Sequence, residues 1–361
     1  MIKDKETVYV GLSGGVDSSV AALLLKQAGH EVVGVFMRCV NLDGCADDDA
    51  YDARRVAEQI GIPFYTWDFE EEYQKRVVDP MISGYKEGIT PNPDVACNKE
   101  VKFGLFLEAA KRNGATKVAT GHYARVIEQS SSYALQAGVD KNKDQSYFLW
   151  TLDQGVLPDV LFPLGALEKP EVRKIAEEAG LHTAKKKDSQ GICFLGKVSL
   201  GKYLRTQLPS KEGKILDGEG NEIGIHDGAW FFTIGQASGF EVRVTGGSTP
   251  KHYVAARAIA KNTITVVEAD DSLLEHQEIV LDDMVLTPVA AKKVAHGPVS
   301  CLARIRYRQP LQKAQFFLDE EKKQYNLLFA EKQSAVALGQ STVLYDENGI
   351  VLGGGIISKT L

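Results

Sequence analysis

A glycine-rich turn near the start of the chain predicts how the first domain begins. The stretch SGGVDSS at residues 13–19 follows the apolar run VYV at residues 8–10 and precedes VAALLL at residues 20–25. This order predicts a strand, a tight turn and a helix. Because glycine adopts backbone angles that a side chain forbids, successive N–H groups can face one concavity, and the start of the helix adds its own unpaired N–H groups. Such a cup suits a phosphate or a pyrophosphate group.

Two common phosphate-binding motifs are absent from the sequence. No G-x-x-x-x-G-K-[ST] supplies a lysine to β and γ phosphates, and no G-x-G-x-x-G indicates a dinucleotide site. The stretch resembles instead the PP-loop of the ATP pyrophosphatases, which cleave ATP between the α and β phosphates. A plain strand-to-helix turn with a serine cap is the structural alternative. We favour ATP binding, because seven positions match in the expected order of strand, turn and helix.

Length and composition limit the class of protein. A chain of 361 residues with 44% hydrophobic and 25% charged residues is typical of a globular protein with two or three domains. The polar start lacks the apolar core of a secretory signal, and no stretch is long enough to span a membrane, so we expect a cytoplasmic protein without a membrane partner. The net charge of −6 argues against general coating of nucleic acid, and DNA is not an expected partner.

The cysteines are too few and too scattered for a disulfide scaffold. In a reducing compartment each is either a small buried hydrophobic residue or a reactive thiol. The five are Cys39, Cys45, Cys97, Cys193 and Cys301.

Strand and helix patterns alternate through the first part of the chain. Strand-like runs at residues 31–37, 62–67 and 117–120 flank a helical pattern at residues 47–60. This alternation predicts an α/β fold with a doubly wound, mostly parallel sheet, whose ligand crevice lies at the carboxyl ends of the strands. The acidic residues 47–49 fit the positive end of a helix better than a set of metal ligands, so no metal site is predicted.

The composition and the pattern of the sequence change near residue 200. Glycines become frequent and short strands recur between turn signals such as Asp217-Gly218 and Asp227-Gly228. We therefore expect a PP-loop ATP-binding domain at residues 1–200, a small β-rich domain at 201–272 and a C-terminal domain at 273–361. The last domain has the pattern of a closed β-barrel or a sandwich, of which we expect the barrel.

Two segments place a cysteine among residues that favour a thiolate. In TPNPDVACN at residues 90–98 the prolines set an extended entry, and Asp94 or Asn98 is expected to cap a helix that runs to Arg112. Cys97 then lies near the helix N-terminus, where the dipole favours a thiolate. Cys193 follows a lysine run at residues 185–187 and a glycine, and nearby cations have the same effect. Packing of both thiols in a core is the alternative.

Two further stretches carry candidate contacts. Gly121 and His122 follow the strand at 117–120 and are expected at its carboxyl end, beside the crevice. Arg304, Arg306 and Arg308 alternate with other residues, which predicts that all three lie on one face of a strand, where they could contact a phosphate backbone. A solvated strand face is the alternative reading of this pattern.

Taken together, these stretches resemble the tRNA-specific 2-thiouridylases over essentially the full chain and in the same order. The matching segments are residues 11–19, 90–100, 119–123, 142–149, 184–194 and 352–357. The resemblance implies an enzyme that replaces O2 of the wobble uridine, position 34 of certain tRNAs, with sulfur. Its expected partners are a tRNA with a wobble uridine and a sulfur-donor relay protein, and its expected cofactor is ATP with Mg²⁺.

The resemblance also implies the roles of single residues. Cys193 would carry the sulfur as a persulfide, Cys97 would be its partner and form a disulfide with it after transfer, and Asp94 would act as acid and base. The implied ATP contacts are Gly11, Leu12, Ser13, Gly14, Gly15, Val16, Asp17, Ser18, Met37 and Gly121. The implied target-base contacts are Asn92, Pro93 and Asp94, and the implied tRNA contacts are His122, Lys143, Asp144, Gln145, Arg306, Tyr307 and Gln340.

Two departures from the family pattern and two competing functions stay open at this point. Ala237 and Ser238 stand where the family usually has a basic pair, and the segment at 39–49 is shorter than usual, with Cys39 and Cys45 making a weak case for zinc. Another PP-loop enzyme, such as an amide-forming ligase or a different tRNA-modifying enzyme, is one competing function. An RNA-binding module without catalysis is the other.

Overall fold

A computed structural model describes residues 5–39, 45–129, 132–187, 198–242 and 251–361 of the chain. Cys193 and the segment around it lie outside the described residues. The described chain divides into two units, the first made of residues 1–78, 93–197 and 346–351 and the second of residues 79–92, 198–345 and 352–361.

The first unit begins with the predicted strand, turn and helix. Its strands are β1 (Thr7–Gly11), β2 (Glu31–Arg38), β3 (Phe64–Asp68), β4 (Lys117–Ala119), β5 (Ala124–Gln129), β6 (Ser132–Ala137) and β7 (Val160–Leu161). In its described part, five strands form a parallel sheet in the order β3-β2-β1-β4-β7, while β5 and β6 form a separate antiparallel hairpin. The predicted parallel α/β sheet is confirmed. Because β1 pairs with β2 on one side and with β4 on the other, the strand order reverses there, where open α/β sheets bind ligands.

Helices and helical turns connect the strands of the first unit. The helices are α1 (Val16–Gln27), α2 (Cys45–Ile60), α3 (Glu70–Tyr73), α5 (Pro93–Ala96), α6 (Phe106–Arg112) and α7 (Lys169–Glu178), while α4 (Asp79–Lys86) belongs to the second unit. π-helical stretches span Gln74–Val78 and Cys97–Leu105, and short 3₁₀ turns span Ser146–Phe148, Leu157–Asp159 and His182–Lys185. Helix α1 buries Val20, Ala21 and Ala22 completely, so that the turn before it is backed by a packed core.

The second unit contains a five-stranded sheet and a closed barrel in its described part. The sheet pairs β10 (Glu241–Val242), β9 (Glu222–His226), β8 (Gly213–Leu216), β12 (Thr263–Val267) and β11 (Tyr253–Ala258), in that order. The barrel order is β13 (Glu275–Leu286), β16 (Gln324–Ser334), β15 (Gln312–Asp319), β14 (Val299–Arg304), β17 (Ser341–Tyr345) and β18 (Val351–Thr360). Two more helices, α8 (Leu200–Gln207) and α9 (Pro288–Val294), and 3₁₀ turns at Ala229–Phe231, Ile259–Lys261 and Ser272–Leu274 complete it. The predicted barrel is confirmed.

Candidate nucleotide site and cysteine-bearing helix

The glycine turn has the geometry expected of a phosphate cup. Gly14 has a φ of +71°, and a Cβ on it would lie 2.4 Å from the carbonyl oxygen of Asp49, so this position accepts no side chain. Ser18 Oγ accepts a hydrogen bond from the Ser13 N–H at 3.1 Å and donates to the Gly15 carbonyl at 3.2 Å. Since Gly15 precedes α1 without a capping side chain, the first N–H groups of the helix remain for an anion.

Three strand ends meet at this turn. A Cβ on Gly11, the last residue of β1, would lie 2.9 Å from Cε of Met37 on β2. A Cβ on Gly121, after β4, would lie 2.7 Å from the backbone nitrogen of Ser18. The structure therefore brings Met37 and Gly121, both expected ATP contacts, to the glycine turn.

Asp17, in the first turn of α1, is held by two residues from distant parts of the chain. Lys169 Nζ lies 2.7 Å from Oδ1 and 2.8 Å from Oδ2, and the Tyr123 hydroxyl donates to Oδ1 at 2.8 Å. Lys169 is a buried residue at the first position of α7, where the helix dipole disfavours a cation, and the Asp17 carboxylate offsets that cost. Sequence reasoning missed Lys169, which has no local motif beyond its place before a proline.

These contacts fit the phosphates of ATP. The turn excludes side chains, the start of α1 has no side-chain cap, and the buried Lys169, ion-paired with Asp17, lies beside it; N–H groups at such a helix start suit an anion. Residues of this turn would hold the phosphates.

The turn at residues 140–145 is built around two carboxylates. Asp140 accepts hydrogen bonds from the N–H groups of Asn142 at 2.9 Å and Lys169 at 2.9 Å. Asp144 is buried, and its Oδ1 accepts from the N–H groups of Gly138 and Ser146, each at 3.1 Å. Of the residues expected to contact tRNA here, Asp144 therefore shapes the turn.

Gln145 and Lys143 lie on either side of Asp144. Gln145 exchanges hydrogen bonds with Tyr123: its side-chain oxygen accepts from the Tyr123 N–H at 3.0 Å, and its own N–H donates to the Tyr123 carbonyl at 2.9 Å. Lys143 is half-buried, and its N–H donates to the Asp140 carboxylate at 3.2 Å. Tyr123 and Lys169, which hold Asp17, are thus also hydrogen-bonded to this turn.

His122 lies in an aromatic environment. Its ring is buried against the rings of Phe103 and Phe162, with centroids 6.0 and 5.9 Å away, and its Nδ1 lies 2.7 Å from Thr120 Oγ1. Burial, and secondly the charge of Lys102, hold the pKa of His122 well below its usual value, so that the imidazole is neutral at physiological pH. This position gives a phosphate no cation.

The helix that carries Asp94 and Cys97 starts earlier than the sequence pattern indicated. It begins at Pro93, where the fixed φ of proline suits the first helical position, and continues through the π-helical stretch to the predicted end at Arg112. The predicted caps, Asp94 and Asn98, are therefore wrong, because both residues lie inside the helix.

Cys97 is buried and follows Asp94 by three residues, which places the two residues on neighbouring positions of one helix face. The π-helical stretch that starts at Cys97 is a form that occurs frequently at functional sites. The amide of Asn98 donates to the Phe148 carbonyl at 3.0 Å and ties this stretch to the turn at Ser146–Phe148.

The lysine run that precedes the Cys193 segment is partly bound to α2. Lys186 Nζ lies 2.7 Å from carboxylate oxygens of both Asp49 and Asp52, and His182 Nε2 lies 3.2 Å from Asp52. Burial acts to lower the pKa of Lys186, but the hydrogen bonds and charges of the two aspartates outweigh it and raise that pKa. Lys186 is thus an ion-paired residue.

The three arginines predicted to share a strand face do not do so. Strand β14 ends at Arg304, which is buried with its guanidinium 5.0 Å from the centroid of the Tyr345 ring. Arg306 is exposed and donates to the Ser334 carbonyl at 3.0 Å, while Arg308 has a φ of +62° that no strand allows. The prediction failed because the strand gives way to a turn, where side chains no longer alternate between two faces.

The structure also places other residues that were candidates in the sequence. Cys301 is buried in the barrel core, where burial raises the pKa of its thiol to about 12. Asp47 and Asp49 of α2 form ion pairs with Arg38 and Lys186. Among the described residues, no group of three histidine, cysteine or acidic side chains is placed to hold a metal ion. Within the same residues, no helix has the length and apolarity needed to cross a membrane.

Comparisons with known proteins agree with this architecture. Residues 6–197 match the family model for the tRNA methyl transferase HUP domain, residues 201–268 a tRNA methyl transferase PRC-barrel domain, and residues 277–357 an aminomethyltransferase beta-barrel domain. A tRNA-specific 2-thiouridylase MnmA from Alkaliphilus oremlandii is 44% identical, covering 98% of this chain and 97% of its own. One from Streptococcus thermophilus is 42% identical, covering 98% and 96%.

A solved 4-thiouridine synthetase–RNA complex with bound ATP aligns at 20% identity over 53% of this chain and 45% of its own, with a TM-score of 0.35. The parallel sheet with its glycine turn, followed by a β-sheet and a barrel, defines a nucleotide-binding α/β protein of the HUP class. The chain belongs to the tRNA-specific 2-thiouridylase MnmA family.

Proposed function

We propose that this protein is an ATP-dependent tRNA 2-thiouridylase that replaces the C2 oxygen of the wobble uridine with sulfur. One observation carries the proposal beyond the names of its relatives: the first unit holds both a cup suited to a pyrophosphate and a buried cysteine three residues from a carboxylate on one helix. A thiol and a carboxylate on one helix face are groups that covalent sulfur transfer requires, the first as nucleophile and the second as acid and base.

ATP cleavage solves a chemical problem of the substrate. The C2 carbonyl of uridine is urea-like and a poor electrophile, so its oxygen must first become part of a leaving group. In the proposed first step this oxygen attacks the α-phosphorus, the bond to the bridging oxygen breaks, and pyrophosphate leaves with the electron pair. Residues 11–18, together with Met37 and Gly121, would hold the nucleotide, and Lys169 and Tyr123 would orient Asp17 toward the cation that accompanies the phosphates.

Two thiols complete the proposed sulfur transfer. The terminal sulfur of a persulfide on Cys193 attacks C2, and AMP leaves with the electron pair of the C2–oxygen bond. The Cys97 thiolate then attacks the Cys193 sulfur, and the bond between that sulfur and the terminal sulfur breaks. Its electron pair goes to the terminal sulfur, which stays on C2 as the thiocarbonyl sulfur, and a Cys97–Cys193 disulfide forms. A dithiol reductant must reduce this disulfide, and a sulfur-donor protein must reload Cys193. Asp94 would accept and return protons during these steps.

The target uridine must leave the anticodon stack to reach such a site. We propose that Asn92, Pro93 and Asp94 meet the base, and that His122, Lys143, Asp144, Gln145, Arg306, Tyr307 and Gln340 support tRNA binding, some by shaping the surface and others by contact. We also keep three functional domains, at residues 1–200, 201–272 and 273–361, and a cytoplasmic location as parts of the proposal.

One assay tests the proposal directly. The full-length protein is incubated with a tRNA that carries a wobble uridine, ATP and a persulfide source, and the tRNA is then run on a mercury-containing gel. We expect retarded tRNA together with stoichiometric AMP and pyrophosphate. Nucleotide cleavage without retarded tRNA would favour another PP-loop enzyme, and tRNA binding without cleavage would favour a binding module. Either result contradicts the proposal.

A further inference from the structure

The four residues at 88–91, which join α4 to Asn92, have a backbone path that leaves little room. Helix α4 ends at Lys86, Gly88 follows with a φ of +81°, and the Ile89 N–H donates back to the Gly84 carbonyl at 2.8 Å. A Cβ on Gly84 would lie 2.4 Å from Cγ of Pro91, and one on Gly88 would lie 2.6 Å from Cγ1 of Ile259. The segment is therefore packed on both sides by its own unit.

Arg257, on β11, binds this segment through its guanidinium. Its Nη2 donates to the Gly88 carbonyl at 2.8 Å and to Thr90 Oγ1 at 3.1 Å, while Nη1 donates to the Phe232 carbonyl. Burial acts to lower the pKa of Arg257, yet a guanidinium stays charged at any physiological pH. A planar group with several fixed donors reaches these acceptors together, which a lysine ammonium does not.

Gln340 binds the same segment from the connection between β16 and β17. Its Nε2 donates to the Thr90 carbonyl at 2.8 Å and to the Pro91 carbonyl at 3.3 Å. The Thr90 N–H in turn donates to the Leu338 carbonyl at 2.8 Å. A Cβ on Gly339 would lie only 2.1 Å from Cγ2 of Ile89, so this connection and the segment are in close contact.

All three polar groups of Thr90 are thus engaged: its N–H by Leu338, its carbonyl by Gln340 and its hydroxyl by Arg257. Asn92 follows after one proline, whose ring restricts the backbone further. We propose that Arg257 and Gln340 form a clamp that positions Asn92, and that Arg257 is a positioning residue for presentation of the target base. The clamp means Arg257, Gln340 and the segment 88–91. This inference rests on the proposed function.

The inference gives Gln340 a role that does not require contact with tRNA. The side-chain amide of Gln340 donates to two backbone carbonyls of the clamp, and Gln340 therefore acts on the reaction through the position of Asn92. Arg257, which no sequence motif indicates, has the same role from strand β11. Both residues therefore should affect the same step of the reaction.

The test compares Arg257→Met and Arg257→Lys with Arg205→Met in the full-length protein. Arg205 belongs to the same unit and pairs with Asp227, and thus provides a matched loss of a guanidinium. We expect Arg257→Met to lower kcat for tRNA thiolation about ten- to a hundredfold, because small displacements near reacting groups have effects of that size. Arg257→Lys should recover little of it, and Arg205→Met should match the wild type.

A second readout separates positioning from loss of folding. Amide hydrogen exchange across residues 88–91 should become faster in Arg257→Met, while exchange in β1 and α1 stays unchanged, as should the affinity for ATP, whose loop belongs to the other unit. Wild-type kcat and wild-type exchange in Arg257→Met would overturn the clamp. An inactive wild type would instead contradict the proposed function, and the hydrogen-exchange measurement would still test whether the clamp exists.

Gln340→Ala gives an independent test that survives a failure of Arg257→Met to fold. We expect a lower kcat, faster exchange at 88–91 and an effect that is not additive with that of Arg257→Lys, since both variants loosen one segment. A larger dissociation constant for tRNA, with unchanged kcat and unchanged amide hydrogen exchange at residues 88–91, would show that Gln340 acts by direct contact. That result would overturn its part in the clamp.

Discussion

Lys169 Nζ lies within 2.8 Å of both carboxylate oxygens of Asp17, a residue 152 positions earlier in the chain. The pair joins the first turn of α7 to the first turn of α1, next to the glycine turn. The glycine turn contains no lysine in its own sequence, but in the folded protein Lys169 lies beside it.

Loss of this lysine should weaken nucleotide binding. Lys169→Met leaves the Asp17 charge without its nearest cation beside the cup, so we expect ATP and pyrophosphate to bind about tenfold more weakly, which is about 1.4 kcal/mol. Titration calorimetry measures both ligands without any reaction. Lys174→Met, which removes an exposed lysine of the same helix paired with Glu178, serves as the control. Equal affinities in the two variants would contradict a role for Lys169 at this site.

The glycine turn should be sensitive to a single methyl group. Gly14→Ala combines a positive φ with a Cβ 2.4 Å from the Asp49 carbonyl oxygen, so we expect loss of measurable ATP binding. Gly29→Ala has a similar φ of +91° with open space around the new Cβ, and controls for the backbone cost of about 1 kcal/mol alone. If Gly14→Ala binds ATP as Gly29→Ala does, the close approach to Asp49 is not what shapes the cup.

The two proposed catalytic thiols should behave alike, and differently from the buried thiol of the barrel. Cys97→Ser and Cys193→Ser are each expected to abolish tRNA thiolation while pyrophosphate release continues, because activation of the base precedes sulfur transfer. Cys301→Ala should keep full activity, since burial raises the pKa of that thiol to about 12 and leaves it protonated. Full thiolation by either serine variant, read on the mercury gel, would remove the two-thiol mechanism.

His122 should make the protein less stable in mild acid. Its folded pKa is held well below the ordinary value, so below pH of about 6.5 the unfolded chain binds a proton that the folded chain does not. The free energy of unfolding should therefore decrease as the pH is lowered below this value, by up to about 1.4 kcal/mol per pH unit from this group, until the pH reaches the folded pKa. Urea unfolding of wild type and His122→Gln at pH 7, 6 and 5 measures the difference. His226 and His276, whose pKa values burial also lowers, are present in both proteins. A constant difference between the two would be incompatible with a buried neutral His122.

The arginines near the end of β14 should now separate into two kinds. Arg306→Ala removes an exposed guanidinium, so we expect weaker tRNA binding and a slope of log K against log salt reduced by about 1. Arg304→Ala removes a buried side chain packed on Tyr345 and should lower the thermal stability of the barrel instead. An unchanged salt slope in Arg306→Ala would exclude a phosphate contact at this residue.

Features of short range were predictable because a few adjacent residues decide them. The glycine turn between β1 and α1, the helix that ends at Arg112 and the placement of Gly121 after β4 all follow from glycine, proline and hydrophobic spacing. The helix start at Pro93 was misjudged, since Asp94 and Asn98 are good caps in isolation and proline at the first position competes with them. The arginine strand was misjudged because alternation does not reveal where a strand ends.

The sequence by itself determined the order of strand, turn and helix, the nucleotide cup and the family, because these rest on local backbone preferences and on motifs with a specific spacing. Only the tertiary structure decided that Lys169 and Tyr123 hold Asp17, that His122 is buried and neutral, and that Arg257 grips the residues before Asn92. The physical reason is distance along the chain: hydrogen bonds and burial depend on which segments meet in space, and pairs such as Arg257 and Gly88, 169 residues apart, leave no local pattern.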